Sequence, residues 1–297
     1  MFLLTMNKAC AKNEVILNES DSNFELGLNE IKVGLNDLNF IFERKCLMKK
    51  NKKRIIINCI IYLILICILI YSSSKIFVWY KDNKNTKEIE EKINESVTVE
   101  KNEQNQEEYN VDFTKLKAQN NETVAWLKVN NTNIEYPVVK AKDNDFYLTR
   151  SFDKSNNSVG WIFADYKNKF DGTDKNIVVY GHNRRDGSMF GTLKNILQPD
   201  WYNNEDNLNV MFNVENENCI YRVFSVYQIE KEDYYITTNF NNNDEFEIFL
   251  KTIKKRSIKD FGIEVSKDDT ILTLSTCANN NKYRVVLHAK KIQNANN

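Results

Sequence analysis

Hydrophobic residues are arranged along this chain in two ways, as one long apolar run near the N-terminus and as short segments after it. Residues 55–71 are apolar almost throughout, with Asn58 as the exception. Together with the serines that follow, residues 55–74 reach the roughly 20 residues that cross the hydrocarbon core of a bilayer. The pattern therefore predicts one transmembrane helix.

Charged and aromatic residues around this run predict its orientation. Basic residues occupy positions 49–54 apart from Asn51, and an aromatic and aliphatic stretch at 76–80 follows the run. Since positive charge is retained in the cytoplasm, we expect a cytoplasmic N-terminus and an extracellular remainder. A cleaved signal peptide is the alternative. We favour an uncleaved anchor because the apolar run is too long and no small-residue cleavage site follows it.

The rest of the chain alternates between apolar segments of strand length and polar turns. Short, regularly spaced strands favour an all-β barrel or sandwich. Before them, residues 111–116 and 123–127 are predicted to be helical, with Leu116 and Trp126 as core anchors. The predicted strands are 134–139, 160–164, 177–180, 208–213, 220–229, 270–275 and 283–292.

Two further segments have helical patterns. Residues 189–197 are predicted to form a short helical piece. A longer amphipathic helix is predicted near 244–256, with Asn243 or Asp244 as its cap. Its apolar face has the i, i+3, i+4 spacing and consists of Phe246, Phe249, Leu250 and Ile253.

These patterns divide the chain into four parts. Met48 precedes the basic cluster in the manner of a start residue, so residues 1–47 are interpreted as an extension from a mis-assigned start. The linker is expected to be solvated, with some helix around Ile89 and Ile93. The predicted parts are a cytoplasmic segment at 1–54, a transmembrane anchor at 55–74, a charged linker at 75–108 and a catalytic domain at 109–293.

Composition narrows the possible functions. The 297 residues carry 41 basic and 41 acidic side chains, so no basic excess indicates a nucleic-acid partner. The six cysteines contain no Cys-x-x-Cys pair, and we expect neither a metal site nor a cofactor. The chain has only two histidines, His182 and His288, so chemistry that needs imidazole has two candidates.

Candidate chemistry lies at the ends of predicted strands. Cys277 ends one strand and Arg284 opens the next, so an antiparallel pair would bring a thiol and a fixed positive charge together. On its own, this pair is more simply a buried cysteine near a surface arginine. His182 ends a third strand. His288 lies four residues beyond Arg284, roughly 13 Å along the strand, and is interpreted as a partly exposed strand residue.

These strand ends resemble those of the sortases, bacterial cysteine transpeptidases. Further segments resemble class B sortases in particular, and the likeness covers residues 109–293. The motifs that carry it are Tyr180-Gly181-His182-Asn183, Thr273-Leu274-Ser275-Thr276-Cys277 with Arg284, Glu135-Tyr136-Pro137-Val138-Val139, Asp143-Asn144-Asp145-Phe146-Tyr147-Leu148, Gly160-Trp161-Ile162-Phe163-Ala164-Asp165, Gly187-Ser188-Met189-Phe190 and Tyr221-Arg222-Val223-Phe224-Ser225-Val226.

The resemblance implies a mostly β fold, an eight-stranded sortase-type barrel with short helices. It also implies that Cys277 attacks the carbonyl after Thr in an Asn-Pro-x-Thr-x-like C-terminal sorting signal of a secreted protein. The thioacyl-enzyme would then pass the protein to an amine of a peptidoglycan precursor or cross-bridge. His182 would act as general acid and base, and Arg284 would hold the oxyanion or a substrate carbonyl.

The same likeness implies a set of substrate contacts. Leu148 and Ile236 have an alternative interpretation as core, Tyr180 as strand packing and Ser275 as a strand hydroxyl. Class B sortases often have an acidic residue directly after the cysteine, where this chain has Ala278. The implied contacts are Asn144, Leu148, Tyr180, Tyr235, Ile236 and Ser275.

Several alternatives remain open from the sequence. A pilin-type sortase would join proteins to a lysine of another subunit, and a non-enzymatic, membrane-tethered β-domain would use its cysteine structurally. Asp186 is a candidate third member of a triad, although a loop role suits it better. A disulfide between Cys219 and Cys277 is conceivable outside the cell but would remove the nucleophile.

Overall fold

The structure is a computed structural model that describes residues 22–101, 107–277 and 282–294. The chain divides into two compact units, Met1–Ser74 and Lys75–Asn297.

Helix α1 (Ser22–Asn94) contains the long apolar run. Its apolar side chains between Ile55 and Tyr71 are exposed, as the surface of a lipid-facing helix would be. Within the described part of the chain, this is the one helix long and apolar enough to cross a membrane. The candidate membrane anchor predicted from the sequence is therefore a single continuous helix.

The last part of α1, residues 75–94, belongs to the second unit and differs from the expected solvated linker. It buries Thr86, Ile89 and Ile93, and the two isoleucines join the hydrophobic core of that unit. Spacings of three and four residues place these side chains on one helix face. The other faces of the helix are rich in charged residues, so the composition of the segment indicates a solvated linker and does not show this short apolar stripe.

A small hairpin follows α1 and is separate from the main sheet. Strands β1 (Val97–Lys101) and β2 (Glu107–Val111) pair antiparallel. Helix α2 (Phe113–Gln119) comes next, and the carboxylate of Asp112 caps it by accepting a hydrogen bond from the Lys115 backbone N–H.

The main sheet is a closed, eight-stranded barrel, as predicted. Its strand order is β10-β8-β7-β3-β4-β5-β6-β9, and β9 and β10 also pair with each other, which closes the barrel. The strands are β3 (Thr123–Val129), β4 (Glu135–Val139), β5 (Phe163–Ala164), β6 (Asn176–His182), β7 (Asn209–Val214), β8 (Cys219–Glu230), β9 (Ile271–Cys277) and β10 (Tyr283–Asn294).

The helical prediction for residues 123–127 was wrong. This segment is the first part of β3, which lies between β4 and β7 and buries Trp126 and Leu127 completely or nearly so. Pairing with two neighbouring strands outweighs the weak local helical pattern. Leu116 and Trp126 are both buried, as expected of core anchors.

The remaining helices are short. Helix α3 (Pro199–Tyr202) lies between β6 and β7, and α4 (Asn243–Lys255) lies between β8 and β9. Asn242 caps α4, one residue before the predicted cap, by accepting from the Glu245 backbone N–H. Within 189–197, the structure has a 3₁₀ turn at Leu193–Leu197.

His288 is fully buried, which corrects the expectation of a partly exposed residue. It lies on β10 between β8 and β9, and its ring packs between the sheet and α4, against Phe224 and Tyr227 of β8 and Phe249 of α4. Nδ1 contacts Thr273 Oγ1 and Nε2 contacts Tyr227 Oη, both at 2.8 Å. Burial lowers the pKa of His288 to about 3.

We expect the neutral His288 to make folding pH-dependent. Because its folded pKa lies below the unfolded value, the unfolded chain takes up a proton as pH falls from about 6.5. Between the two pKa values, this proton uptake should reduce the free energy of unfolding by about 1.4 kcal/mol for each pH unit of acidification. Urea denaturation from pH 7 to pH 4 should show a shallower pH dependence in His288→Gln than in the wild type. Parallel curves would contradict this role.

Candidate active site

The ends of β6 and β9 meet at the same edge of the barrel. The two strands pair in parallel, and their register matches Tyr180 with Ser275 and His182 with Cys277. The backbone pairing therefore brings the candidate imidazole and the candidate nucleophile to adjacent positions, although 95 residues separate them in the sequence.

Arg284 lies at the same edge, on the other side of β9. The antiparallel pairing of β9 and β10 matches Ser275 with Val286. Continuing this register by two residues brings Arg284 level with Cys277. The Arg284 side chain is buried, and its Nη1 donates to the Tyr283 carbonyl at 3.1 Å. Neighbouring strands β6, β9 and β10 therefore each contribute one candidate residue to this edge.

The His182 ring is held in one orientation by a backbone carbonyl. Its Nε2 lies 2.7 Å from the Leu148 carbonyl oxygen, and the residue is 7% exposed. A carbonyl can only accept, so Nε2 carries the proton and Nδ1 of the neutral ring keeps a lone pair. Nδ1 is buried and has no hydrogen-bond partner among the residues that the structure describes.

Electrostatics favour the neutral form of this imidazole. Burial lowers the pKa of His182, the hydrogen bond to Leu148 opposes that effect, and the charge of Arg184 lowers the pKa further. The net pKa lies below the ordinary value for histidine. At neutral pH the ring therefore offers Nδ1 as a proton acceptor.

Gly160 lies against the same edge of the ring, the one formed by Nε2 and Cδ2. Its φ is +69°, in the left-handed region, and a Cβ placed there would lie 2.6 Å from His182 Cδ2. The same Cβ would lie 2.9 Å from the Leu148 carbonyl oxygen. Only glycine therefore combines this backbone conformation with the observed position of the imidazole.

A cavity of about 250 Å³ opens beside these strand ends. All the residues that the resemblance implied as substrate contacts line it, together with Arg284. The complete lining is Asn144, Leu148, Phe163, Tyr180, Lys231, Glu232, Asp233, Tyr235, Ile236, Ser275, Thr276 and Arg284. We call this cavity the groove.

Asp165 organises one wall of the groove. Its Oδ2 accepts from Asn144 Nδ2 at 2.9 Å and from Tyr180 Oη at 2.8 Å, and its side chain is buried. Asn144 Oδ1 in turn accepts from the Tyr166 backbone N–H. In the sequence analysis, Asp165 was only the last residue of a motif, and no role was predicted for it. Its position, a carboxylate directly after an apolar strand, is the signal from which a structural role could have been predicted.

Tyr235 and Ser275 form another part of the groove lining. Their hydroxyl oxygens are 3.0 Å apart, and both side chains are buried. The Tyr235 ring also meets Tyr234 and Tyr227 edge to face. Tyr235 and Ile236 belong to a 3₁₀ turn at Tyr234–Ile236, which comes between β8 and α4.

Charged groove residues were missed by the sequence analysis. Lys231, Glu232 and Asp233 lie directly after β8 and contribute to the groove lining. They follow the end of a strand, whereas His182 and Cys277 are the last residues of theirs, and no motif marked them. Ala278 lies outside the described residues.

Asp186 does not contact the imidazole. Its carboxylate pairs with Arg184, at 2.6 Å from Nη2, and accepts from the Ser188 hydroxyl. Burial raises the pKa of Asp186, but the hydrogen bonds from Arg184 and Ser188 outweigh that effect and lower it to about 2. Asp186 therefore makes contacts within its own loop, in agreement with the loop role that the sequence favoured over a place in a triad.

Cys219 lies at the far end of β8 from the groove. It pairs with Asn294 on β10, whereas Arg284 pairs with Ile229, ten residues further along β8. That separation is roughly 30 Å along the strand, so a disulfide to Cys277 does not fit this fold. Burial raises the pKa of the Cys219 thiol to about 12.

Comparison with known proteins identifies the family of this chain. The family model of the sortase domain matches residues 127–292. The chain belongs to the sortase family. This sortase is 35% identical to sortase B of Listeria monocytogenes over 60% of its own length and 72% of that protein. It is 30% identical to sortase B of Staphylococcus aureus over 79% and 96% of the two chains.

Solved structures agree at the level of the fold. Sortase B from B. anthracis superposes with a TM-score of 0.62 and 32% identity, over 73% of this chain and 99% of that chain. Clostridium perfringens sortase B gives 0.57 and 38% identity, over 61% and 100%. This sortase is therefore a class B cysteine transpeptidase, and the non-enzymatic β-domain is set aside.

Gly160 offers a sharp test of how the imidazole is held. Both Gly160→Ala and Gly172→Ala place a side chain at positive φ and should cost about 1–2 kcal/mol in unfolding free energy. Gly172 has open space where a Cβ would stand, so only Gly160→Ala should displace His182. Peptide-transfer rates and thermal melting should separate the two variants. Equal activity in both would contradict the support assigned to Gly160.

Proposed function

We propose that this sortase cleaves a C-terminal sorting signal after Thr and transfers the upstream protein to a cell-wall peptide amine. The observation that carries this proposal is the meeting of His182, Cys277 and Arg284 at one strand edge beside the groove. The signal is of the Asn-Pro-x-Thr-x type. The acceptor is an amine of a peptidoglycan precursor or cross-bridge.

In the first half-reaction, the Cys277 thiolate attacks the carbonyl carbon of Thr. The C–S bond forms, and the tetrahedral intermediate collapses as the scissile C–N bond breaks. The proton removed from the thiol passes by way of His182 to the leaving amine. The neutral, single-tautomer imidazole supports this role because its Nδ1 is the ring atom able to take up that proton.

In the second half-reaction, the acceptor amine attacks the thioester. His182 takes the proton from the incoming amine as the new C–N bond forms, and it returns that proton to the sulfur as the C–S bond breaks, which restores the thiol. Arg284 carries a fixed positive charge on a planar fork, and it stabilises the oxyanion or holds a substrate carbonyl in both halves. Its position on the groove lining supports this assignment.

The groove walls suit an extended peptide. Leu148, Ile236 and Phe163 supply apolar surface, whereas Asn144, Ser275 and the tyrosine hydroxyls supply polar contacts. Solved relatives include a Staphylococcus aureus sortase B–substrate complex and a sortase B complexed with triglycine. A sorting-signal peptide and a short peptide with a free amine are the corresponding ligands proposed here.

The proposed topology follows from the charge around the apolar run. Residues 1–54 are cytoplasmic, 55–74 cross the membrane and the catalytic domain is extracellular, where secreted proteins and wall peptides meet it.

Peptide transfer by the full-length chain in detergent micelles tests this function. Substrates of the Asn-Pro-x-Thr-x and Leu-Pro-x-Thr-Gly types are supplied with a triglycine acceptor, and products are separated by chromatography. We expect the first substrate to be preferred. Cys277→Ala should abolish transfer, and Arg284→Lys should lower kcat by about 10² because it keeps the charge but loses the fork.

Cys219→Ala is the matched control, since it removes a buried thiol far from the groove and should retain wild-type rates. Equal transfer by Cys277→Ala would refute the nucleophile. Transfer only to a lysine side-chain amine of a second protein would favour the pilin-type alternative. A wild-type chain that neither cleaves nor transfers would contradict the proposed function.

A further inference from the structure

Residues 75–94 of α1 face the loops that flank His182. This helical segment lies within the second unit, so its contacts with the barrel belong to one compact body. Its apolar contacts come from Ile89 and Ile93. One to three turns before them, the contacts with the rest of the second unit are polar and are made by Asp82, Asn83, Asn85 and Thr86.

The first contact is with the loop that leads to Gly160. Asp82 Oδ2 accepts from the Ser158 backbone N–H at 3.0 Å and from its hydroxyl at 2.6 Å. Asn157 Nδ2 donates to the Asp82 carbonyl and to Thr86 Oγ1, at 3.1 and 3.0 Å. Asn157 is buried, and its own backbone carbonyl accepts from the Gly160 N–H. These bonds fix the residue that supports the imidazole.

The second contact is with the loop that leaves His182. Asn83 Oδ1 accepts from Arg184 Nη2 at 2.8 Å. The Asn83 amide is itself oriented, because its Nδ2 donates to the Trp79 carbonyl at 2.8 Å. The Arg184 backbone N–H in turn donates to the His182 carbonyl at 3.1 Å. One turn of the helix therefore contacts both the loop that precedes Gly160 and the loop that follows His182.

We propose that Asp82 and Asn83 are positioning residues for His182, so that the helix emerging from the membrane anchor is part of the catalytic apparatus. The proposal rests on the proposed role of His182 in transfer. Both side chains act through other groups, Asp82 through Ser158, two residues before Gly160, and Asn83 through Arg184. Hydrogen bonds are directional, so they fix the loops in a way that the apolar contacts of the helix do not.

We expect loss of these contacts to slow the chemical step of the reaction. A displacement of the imidazole by about 1 Å lowers a rate by roughly 10², whereas groove binding is left intact. The Asp82→Ala/Asn83→Ala variant should therefore lose roughly 10² in kcat with KM nearly unchanged. Asp82→Asn keeps an oxygen that can accept from Ser158 and should retain most of the activity.

Selective ¹⁵N labelling of histidine gives a readout that does not depend on activity. Because the chain has only two histidines, the full-length protein in detergent micelles should show two sets of ring signals. The wild-type His182 ring should be protonated at Nε2 and not at Nδ1. In Asp82→Ala/Asn83→Ala, its signals should move to the averaged pattern of a mixed tautomer. His288, buried between the sheet and α4, is the internal reference and should not change.

Lys84→Ala is the control on the same helix, since Lys84 pairs with Glu88 on an exposed face and should leave both readouts at wild-type values. The inference is overturned if the double variant keeps the wild-type His182 signals, or if its kcat is unchanged while wild-type transfer is active. A loss confined to KM also overturns it. An inactive wild type with a shifted His182 pattern in the double variant would refute the proposed function but support the positioning.

Discussion

Parallel pairing of β6 with β9 is the constraint on which the active edge of this sortase depends. The register of that ladder fixes His182 beside Cys277, and the antiparallel partner β10 brings Arg284 to the same level. A slip of one residue would turn every side chain of β6 to the opposite face of the barrel. Closure of the barrel prevents such a slip, because each of the three strands is held by neighbours on both sides.

Burial then decides the chemical state of the imidazole. The Leu148 carbonyl selects the Nε2–H tautomer, and burial together with the charge of Arg184 lowers the pKa. Burial lowers the pKa of both histidines, but their rings differ in their partners. Both nitrogens of His288 are partnered, so its ring is structural, whereas Nδ1 of His182 has no partner in the described part of the chain.

Local patterns made much of the site predictable. Strand ends are marked by the change from apolar to polar residues, so Cys277, Arg284 and His182 could be assigned to strand ends, and resemblance supplied the groove residues. What could not be predicted depends on contacts between distant parts of the chain. The strand at Thr123–Val129 needs β4 and β7 as partners, and the burial of His288 needs β8, β9 and α4. The helix at 75–94 packs on loops more than 70 residues away, as in the pair Asp82 and Ser158.

The central claim is that acyl transfer passes through a thioester on Cys277. Incubation of the full-length chain with a sorting-signal peptide and no acceptor, followed by acid quenching and peptide mapping by mass spectrometry, tests it most directly. The account predicts one adduct with the mass of the N-terminal acyl fragment, located on Cys277 and released by an added amine. An adduct on another residue, or turnover of the peptide without any adduct on Cys277, would contradict it.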